Sequence, residues 1–418
     1  MPLYLANANY LDPVTLETTR GNLLVESGPA GGFRFVDAAP EGAEQVDCSG
    51  RLVTKSFAVG HHHIYSALAR GMPPPKISPT NFVQILEQIW WKLDSALDED
   101  MIRSSALVAA IEAAKCGSTF IIDHHASPNA APGSLGIIAD ALDEVGLGHL
   151  LCYELSDRDG PERMEQGLAE TDRHLQNHQG LVGLHASFTV SPGLLERACE
   201  LAAAHKTGIH VHVAEAQSDQ DHCLEHFGTR CVQRFDAAGV LEMPRSILAH
   251  CIHLDDVERD LLRDAESWVA QQAESNLNNA VGTLDATGFA ERVFIGTDGM
   301  HGDCIAAARQ AYLASQGAES MSPQVAYGRL RRVHAYLRTN SFTGDSDNNL
   351  IVLDYDSPTP ISPSNWPGHV MYGLSRHHVR TVISQGRVIV DEGRATLVDE
   401  SAVMAEARVQ AKRLWDRL

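Results

Sequence analysis

The chain reads as an α/β protein built on a (β/α)8 barrel, and three features of its sequence point that way. Between about residues 55 and 300, short apolar runs alternate with amphipathic segments, the pattern of βα units feeding a parallel sheet. The apolar runs number eight, the barrel number, and each ends in polar side chains. The two ends of the chain carry strand-and-turn patterns instead and flank the alternating region.

The eight expected strands are SFAVGHHH (56–63), TFIIDHH (119–125), HLLCYEL (149–155), LVGLHAS (181–187), GIHVHVAE (208–215), SILAHCIH (246–253), SWVAQQAES (267–275) and RVFIGTD (292–298). Helix signals lie between them. Ser191-Pro192 opens an Ala- and Leu-rich helix that closes near Gly208, and Asp255 with Glu258 resembles an acidic N-cap. The segment after strand one is much longer than the others. Residues 65–100, with MPPPKISP and QIWWKLD, are expected to form an extended loop and helix over the barrel mouth. Residues 1–53 and 346–418 are expected to pack together as a small β-sandwich built from both termini, with a terminal helix, around a catalytic barrel of residues 54–345.

With 44% hydrophobic and 21% charged residues the chain can bury a large core. No run reaches the roughly eighteen apolar residues of a membrane span, and the start, MPLYLANANYLDP, lacks a basic segment followed by an apolar run. A cytoplasmic protein is expected. Eight scattered cysteines without a CxxC pair suggest buried thiols in a reducing compartment, and neither a disulfide framework nor a thiolate zinc site. A formal net charge of -21 speaks against nucleic acid or an anionic membrane as partner. A small neutral or cationic substrate fits it better; the oligomeric state is left open, a homo-oligomer included.

The strand ends carry the chemistry. They supply His61 to His63; Asp123, His124 and His125; Glu154, with Asp157 just beyond; His185; His212 and Glu215; His250; Ser275 and Asn276; and Asp298. On this fold the active site is built at the C-terminal ends of the strands. His61 and His63 stand i, i+2, which on a strand places both imidazoles on one face, while His62 points the other way. Alone, this pair is as consistent with packing as with chelation. His212 adds a third imidazole, and Asp298, between Thr297 and Gly299, adds a carboxylate; taken alone, Asp298 could equally cap a loop. Together the four suit one divalent ion, Zn²⁺ first, with Fe²⁺ or Mn²⁺ as alternatives. No lysine ends strand four, which argues against a carboxylated-lysine bridge and for one metal.

Glu215 lies just beyond His212, within reach of a metal-activated water. His250 is a candidate to hydrogen-bond that water or a developing oxyanion, or else a satisfied histidine at the rim. His185 is a candidate substrate contact or a structural hydrogen-bonder. His125 is also a candidate substrate contact, as are Tyr65, Arg70 and Arg158, although these last three read as rim residues before they read as contacts. Trp90 and Trp91 read as packing of the long segment before they read as a lid.

In order, GHHHIYSALARGM, IIDHHASPNAAPGSLGIIADAL, LCYELSDRDG, LHASFTVS, HVHVAEAQ, LAHCIHL, ESNLNNAVG and GTDG resemble the amidohydrolase superfamily. The resemblance is to the cytosine deaminase and chlorohydrolase-like branch, and most closely to the SsnA-type aminohydrolases. It runs from about residue 50 to 300, with a fainter continuation through LIVLDYDSPTPISPSNWPGHVMYG. It implies a metal-dependent TIM barrel with a flanking β-sandwich, His61, His63, His212 and Asp298 as ligands, Glu215 as proton shuttle and His250 as the group that orients water. The sequence departs from the family pattern at Thr54-Lys55-Ser56, where Pro-Gly is common, and at Asn348-Asn349-Leu350, where Ala-Asp-Leu is common.

The expected chemistry is hydrolysis at an sp² carbon bearing nitrogen. Deamination of a heterocyclic or amidine C–NH2 group comes first and amide or cyclic-amide hydrolysis second. A metal-binding scaffold without turnover is the reading from another class, and it leaves Glu215 and His250 without a purpose.

Overall fold

In the computed structural model, which describes residues 2–418, eight parallel strands run in sequence order around a barrel. They are β1 (Phe57–His62), β2 (Ser118–His125), β3 (Gly148–Leu155), β4 (Val182–Ala186), β5 (Ile209–Val213), β6 (Ile247–His250), β7 (Trp268–Gln271) and β8 (Val293–Ile295). Each falls within one residue of the expected start. The strands are buried almost throughout, because helices cover the outer face while side chains fill the inside, which is why they read as continuous apolar runs.

The ring closes where β1 meets the segment after β8. His62 and Asp298 form a parallel bridge, Thr297 N–H donates to His61 O at 2.8 Å, and His63 N–H donates to Asp298 O at 3.2 Å. Gly60 makes this approach feasible, since a Cβ there would stand 2.5 Å from the Phe294 ring and 2.6 Å from Ile295 O.

Capping chemistry sets the surrounding helices. Ser191 Oγ accepts from Leu194 N–H at 3.2 Å, and Asp255 with Glu258 forms a reciprocal capping box. The helix behind Ser191 ends at Ala204, a turn earlier than Gly208 suggests. The expected strand seven is corrected more substantially. It stops at Gln271, and residues 273–278 wind into a short helix, so Ser275 and Asn276 stand on a helical turn beyond the strand.

The long segment after β1 crosses the barrel mouth as short helical pieces, Phe82–Ile85 and Trp91–Ala96, joined by a π turn over Leu86–Trp90 in which Trp91 N–H reaches back to Leu86 O. Such turns are rare and recur at functional sites.

Both ends of the chain contribute to one continuous nine-stranded sheet beside the barrel. Its halves meet where Leu52–Lys55 pairs antiparallel with Leu350–Leu353. The two departures from the family pattern make this seam. Lys55 Nζ lies 2.7 Å from Asp345 Oδ1, Asp345 Oδ2 lies 2.7 Å from His334 Nδ1, and Asn348 Nδ2 donates to Glu26 O and Gly28 O at 2.8 Å. Asn349 Nδ2 donates to Gly344 O at 2.8 Å, and its Oδ1 accepts from Gln385 N–H at 2.6 Å. Among the described residues no helix is long and apolar enough to cross a membrane.

Candidate active site

The barrel brings four sequence-predicted residues to one point. A ring nitrogen from each of His61, His63 and His212 and a carboxylate oxygen of Asp298 all lie within 4.8 Å of one another, on four buried residues. His63 Nδ1 stands 2.7 Å from His124 O, and His212 Nδ1 stands 2.7 Å from His185 O. A carbonyl only accepts, so each Nδ1 carries the hydrogen and each Nε2 can turn a lone pair inward. The two Nε2 atoms are 3.1 Å apart, and Asp298 Oδ1 lies 2.9 Å from the one on His63. Acceptors this close repel unless positive charge stands among them.

The protein's own electrostatics show that demand. Burial disfavours a charged His63, yet Asp298 outweighs it and pushes the imidazole up to about 9. Burial alone would raise Asp298, but hydrogen bonds from His61 and His63 hold it well below the usual carboxylate range. The donor set, three imidazoles and an ionised carboxylate, fits a divalent ion. His61 is further held by His210, whose Nε2 is 2.8 Å from His61 Nδ1.

Beside this cluster stands a second one that shares Asp298. Glu215, His250 and Asp298 also place ligand-type atoms within 4.8 Å of one another. His250 Nε2 is 3.4 Å from Glu215 Oε2, while Asn279 Nδ2 donates to Glu215 Oε1 at 3.4 Å. Burial raises the Glu215 carboxyl to about 7, so it is substantially protonated near neutrality. On its other side His250 Nδ1 lies 2.8 Å from Asn276 Oδ1, and its backbone N–H donates to Gln272 Oε1 at 3.1 Å. With Asn276 Oδ1 as acceptor, His250 Nε2 is left free to accept a hydrogen bond from a water between it and Asp298.

The backbone under these side chains is held in unusual conformations. Ala214, His250, Cys251 and Asp298 adopt left-handed φ values of 49°, 75°, 52° and 54°. Such conformations cost roughly 1–3 kcal/mol each and persist only where the surroundings over-determine them. Here they do. Asp219 Oδ2 accepts from Ala214 N–H at 2.7 Å, Val213 O accepts from Cys251 N–H at 2.9 Å, and His61 O accepts from Asp298 N–H at 3.0 Å.

Above the clusters is a cavity lined in part by Tyr65, Arg158 and His185, three of the five expected substrate contacts. His125 is not among its lining residues. Strand alternation turns its neighbour His124 into the barrel, where Nε2 reaches Leu184 O and His210 O, and turns His125 away toward Ser127 Oγ at 2.9 Å. Arg70, the other rim candidate, pairs on the surface with Glu112 at 2.7 Å, outside the cavity lining.

Sequence reasoning gave no role to several residues the site contains. His210 repeats with His212 the i, i+2 spacing of His61 and His63, a signal that could have flagged it. Asn276 and Asn279 lay in the ESNLNNAVG motif without a partner being visible, and Asp94 carried no local signal.

The chain belongs to the amidohydrolase family, whose profile matches residues 58–338. It is 25% identical to a 5-methylthioadenosine/S-adenosylhomocysteine deaminase of Desulforudis audaxviator over 99% of both chains. It is 27% identical to an 8-oxoguanine deaminase of Pseudomonas aeruginosa, covering 99% of this chain and 98% of the relative. An adenosine deaminase of Xanthomonas campestris, solved with bound zinc, shares the fold at a TM-score of 0.82 with 18% identity over 99% of both chains.

Proposed function

We propose that the protein is a metal-dependent aminohydrolase that replaces a C–NH2 group of a small heterocyclic or amidine-like molecule with oxygen, releasing ammonia. The observation that carries this reading is the sharing of Asp298 between two groups, the ligand-like set of His61, His63 and His212 and the proton-handling set of Glu215 and His250. Family membership and relatives named as deaminases support it. In this reading residues 54–345 form the catalytic barrel and residues 1–53 and 346–418 its flanking β domain.

His61, His63, His212 and Asp298 would hold one divalent ion, zinc by preference, with iron or manganese as alternatives. Such an ion lowers the pKa of water toward neutrality and polarises the carbon under attack. The remaining work falls to side chains. Asp298 accepts a proton from the attacking water while His250 Nε2 accepts its hydrogen bond and fixes its direction. Glu215, protonated at the outset, gives its proton to the substrate nitrogen as the C–O bond forms. It then relays the proton held by Asp298 to the departing amine, and as ammonia leaves the remaining hydroxyl proton passes to Asp298 and on to Glu215, which restores the protonated carboxyl and leaves a C=O bond. Tyr65, His185 and Arg158 line the substrate's space.

Ammonia release from a panel of aminated purines, pyrimidines, triazines and guanidino compounds tests the reading. Activity confined to amides or lactams would remove deamination and leave the amide-hydrolase alternative.

A further inference from the structure

The interior of a barrel of this kind is ordinarily filled by branched apolar side chains, yet the layer beneath the ligand cluster is polar. His210 on β5 and Cys152 on β3 meet there, both with no exposed surface. Buried polar groups persist where each finds a partner, and the partners here form one line. His61 Nδ1 lies 2.8 Å from His210 Nε2, His210 Nδ1 lies 3.6 Å from Cys152 Sγ, and Cys152 Sγ lies 3.5 Å from Asp123 O, a carbonyl of β2. His124 Nε2, 3.2 Å from His210 O, holds the middle of the line from the side.

The direction of each hydrogen in this line follows from the carbonyl at its end. Asp123 O can only accept, so the single hydrogen of the Cys152 thiol goes to it and a sulfur lone pair is left for His210. Burial pushes the thiol well above its ordinary range, so that hydrogen stays in place. With sulfur as acceptor, His210 carries its hydrogen on Nδ1 and turns the lone pair of Nε2 to His61. His61 then keeps its own hydrogen on Nδ1, and its Nε2, 3.3 Å from Asp298 Oδ1, is the atom offered to an ion. The opposite setting, with the His210 hydrogen on Nε2, would drive the His61 hydrogen to Nε2 and block the ligand atom.

We propose that Cys152 and His210 are positioning residues for the metal centre: as a relay anchored on the Asp123 carbonyl, they fix which nitrogen of His61 carries hydrogen and keep Nε2 ready for the ion. Partners of this kind raise the basicity of a ligating imidazole and hold its ring. Here the partner is a second imidazole, itself set by a thiol. Packing does not ask for such a line, since an apolar pair would fill the layer without matched hydrogens. The inference rests on the metal site of the aminohydrolase reading and is independent of its substrate.

Zinc affinity, measured on the metal-stripped protein by competition with a chromophoric chelator, tests it. His210→Phe, which fills the space without an acceptor, is expected to weaken zinc by about 10–100-fold, and His210→Gln, which restores an acceptor, by less. Cys152→Ala is expected to weaken it by about tenfold, and Cys152→Ser, which keeps a donor and an acceptor, to stay within about threefold of wild type. In the zinc-loaded wild type, ¹⁵N shifts are expected to show the His210 hydrogen on Nδ1. Wild-type affinity in His210→Phe or Cys152→Ala would overturn the proposal. So would equal losses in Cys152→Ala and Cys152→Ser, the mark of packing alone, or a His210 hydrogen found on Nε2. The ¹⁵N measurement decides the matter even if a variant folds poorly. The stated affinity changes without ammonia release would uphold the relay and remove only the deaminase reading, whereas a wild type that takes up no zinc would remove the metal site and the relay with it.

Discussion

Asp298 is bound to His61 twice, through its backbone N–H to His61 O at 3.0 Å and through Oδ1 at 3.3 Å from His61 Nε2. The first contact helps close the barrel and the second belongs to the cluster of candidate metal ligands. Barrel closure and the candidate metal site are thus one arrangement, and loading an ion there should be felt in the fold.

Purified protein is therefore expected to contain about one transition metal per chain by elemental analysis, and a His61→Ala, Asp298→Ala double variant far less. Zinc at about a hundred times its dissociation constant should stabilise the apoprotein by roughly 2.7 kcal/mol, read as a rise in melting temperature that the double variant lacks. Two equivalents of metal, or equal content in both proteins, would contradict the four-ligand site.

Glu215 is not one of the four ligand-like residues and shares only the second cluster, with His250 and Asp298, so a Glu215→Gln variant should keep its metal while kcat/KM falls by about 10²–10⁴-fold. Parallel metal and ammonia assays check this. Full metal with undiminished turnover would remove Glu215 from the proton path; full metal without turnover would dispose of the scaffold reading.

The contact between Asn276 and His250 predicts a positioning role. Asn276→Ala should lower kcat by about 10–100-fold with a smaller change in KM, and Asn276→Asp, which keeps the acceptor, should lose less. The ¹⁵N shifts of His250 report the tautomer directly. An Asn276→Ala protein that retained both the Nδ1–H form and its kcat would leave Asn276 a packing residue.

The seam of the terminal sheet predicts a pH effect. Burial would raise Asp345, but His334 and Lys55 outweigh it and hold the carboxyl well below the usual range. A depressed folded pKa gives stability that is present above the unfolded value of about 3.9 and fades as pH falls below it. Asp345→Asn, which leaves Lys55 buried without its partner charge, should cost about 3–5 kcal/mol near neutrality. Urea unfolding of both proteins should show that gap steady from about pH 7 to 5 and shrinking below about pH 4. A gap independent of pH would mean that the carboxylate charge contributes nothing at the seam.

What the sequence disclosed, and what it withheld, follows from the range of the signals. Strand ends such as His61, His212 and Asp298 were legible because period-2 alternation and apolar runs are local, and eight of them constrain one another. His125 lies outside the cavity lining because its orientation depends on the parity of β2, which an all-buried strand does not reveal in its pattern. The helical turn that carries Ser275 and Asn276 reads as the end of a strand because a polar run after WVAQQ gives no helical period over so few residues. Asp94 meets Arg158 across 64 positions, and Lys55 meets Asp345 across 290; such pairings leave no trace in local sequence.

The split sheet also bears on how the molecule is made. During synthesis Leu52–Lys55 emerges from the ribosome long before Leu350–Leu353, its antiparallel neighbour, exists. For that interval it presents an unpaired apolar edge beside a growing barrel, the kind of surface on which nascent chains associate wrongly. Lys55 lies in that edge, and its charge would discourage such encounters until Asp345 arrives to neutralise it.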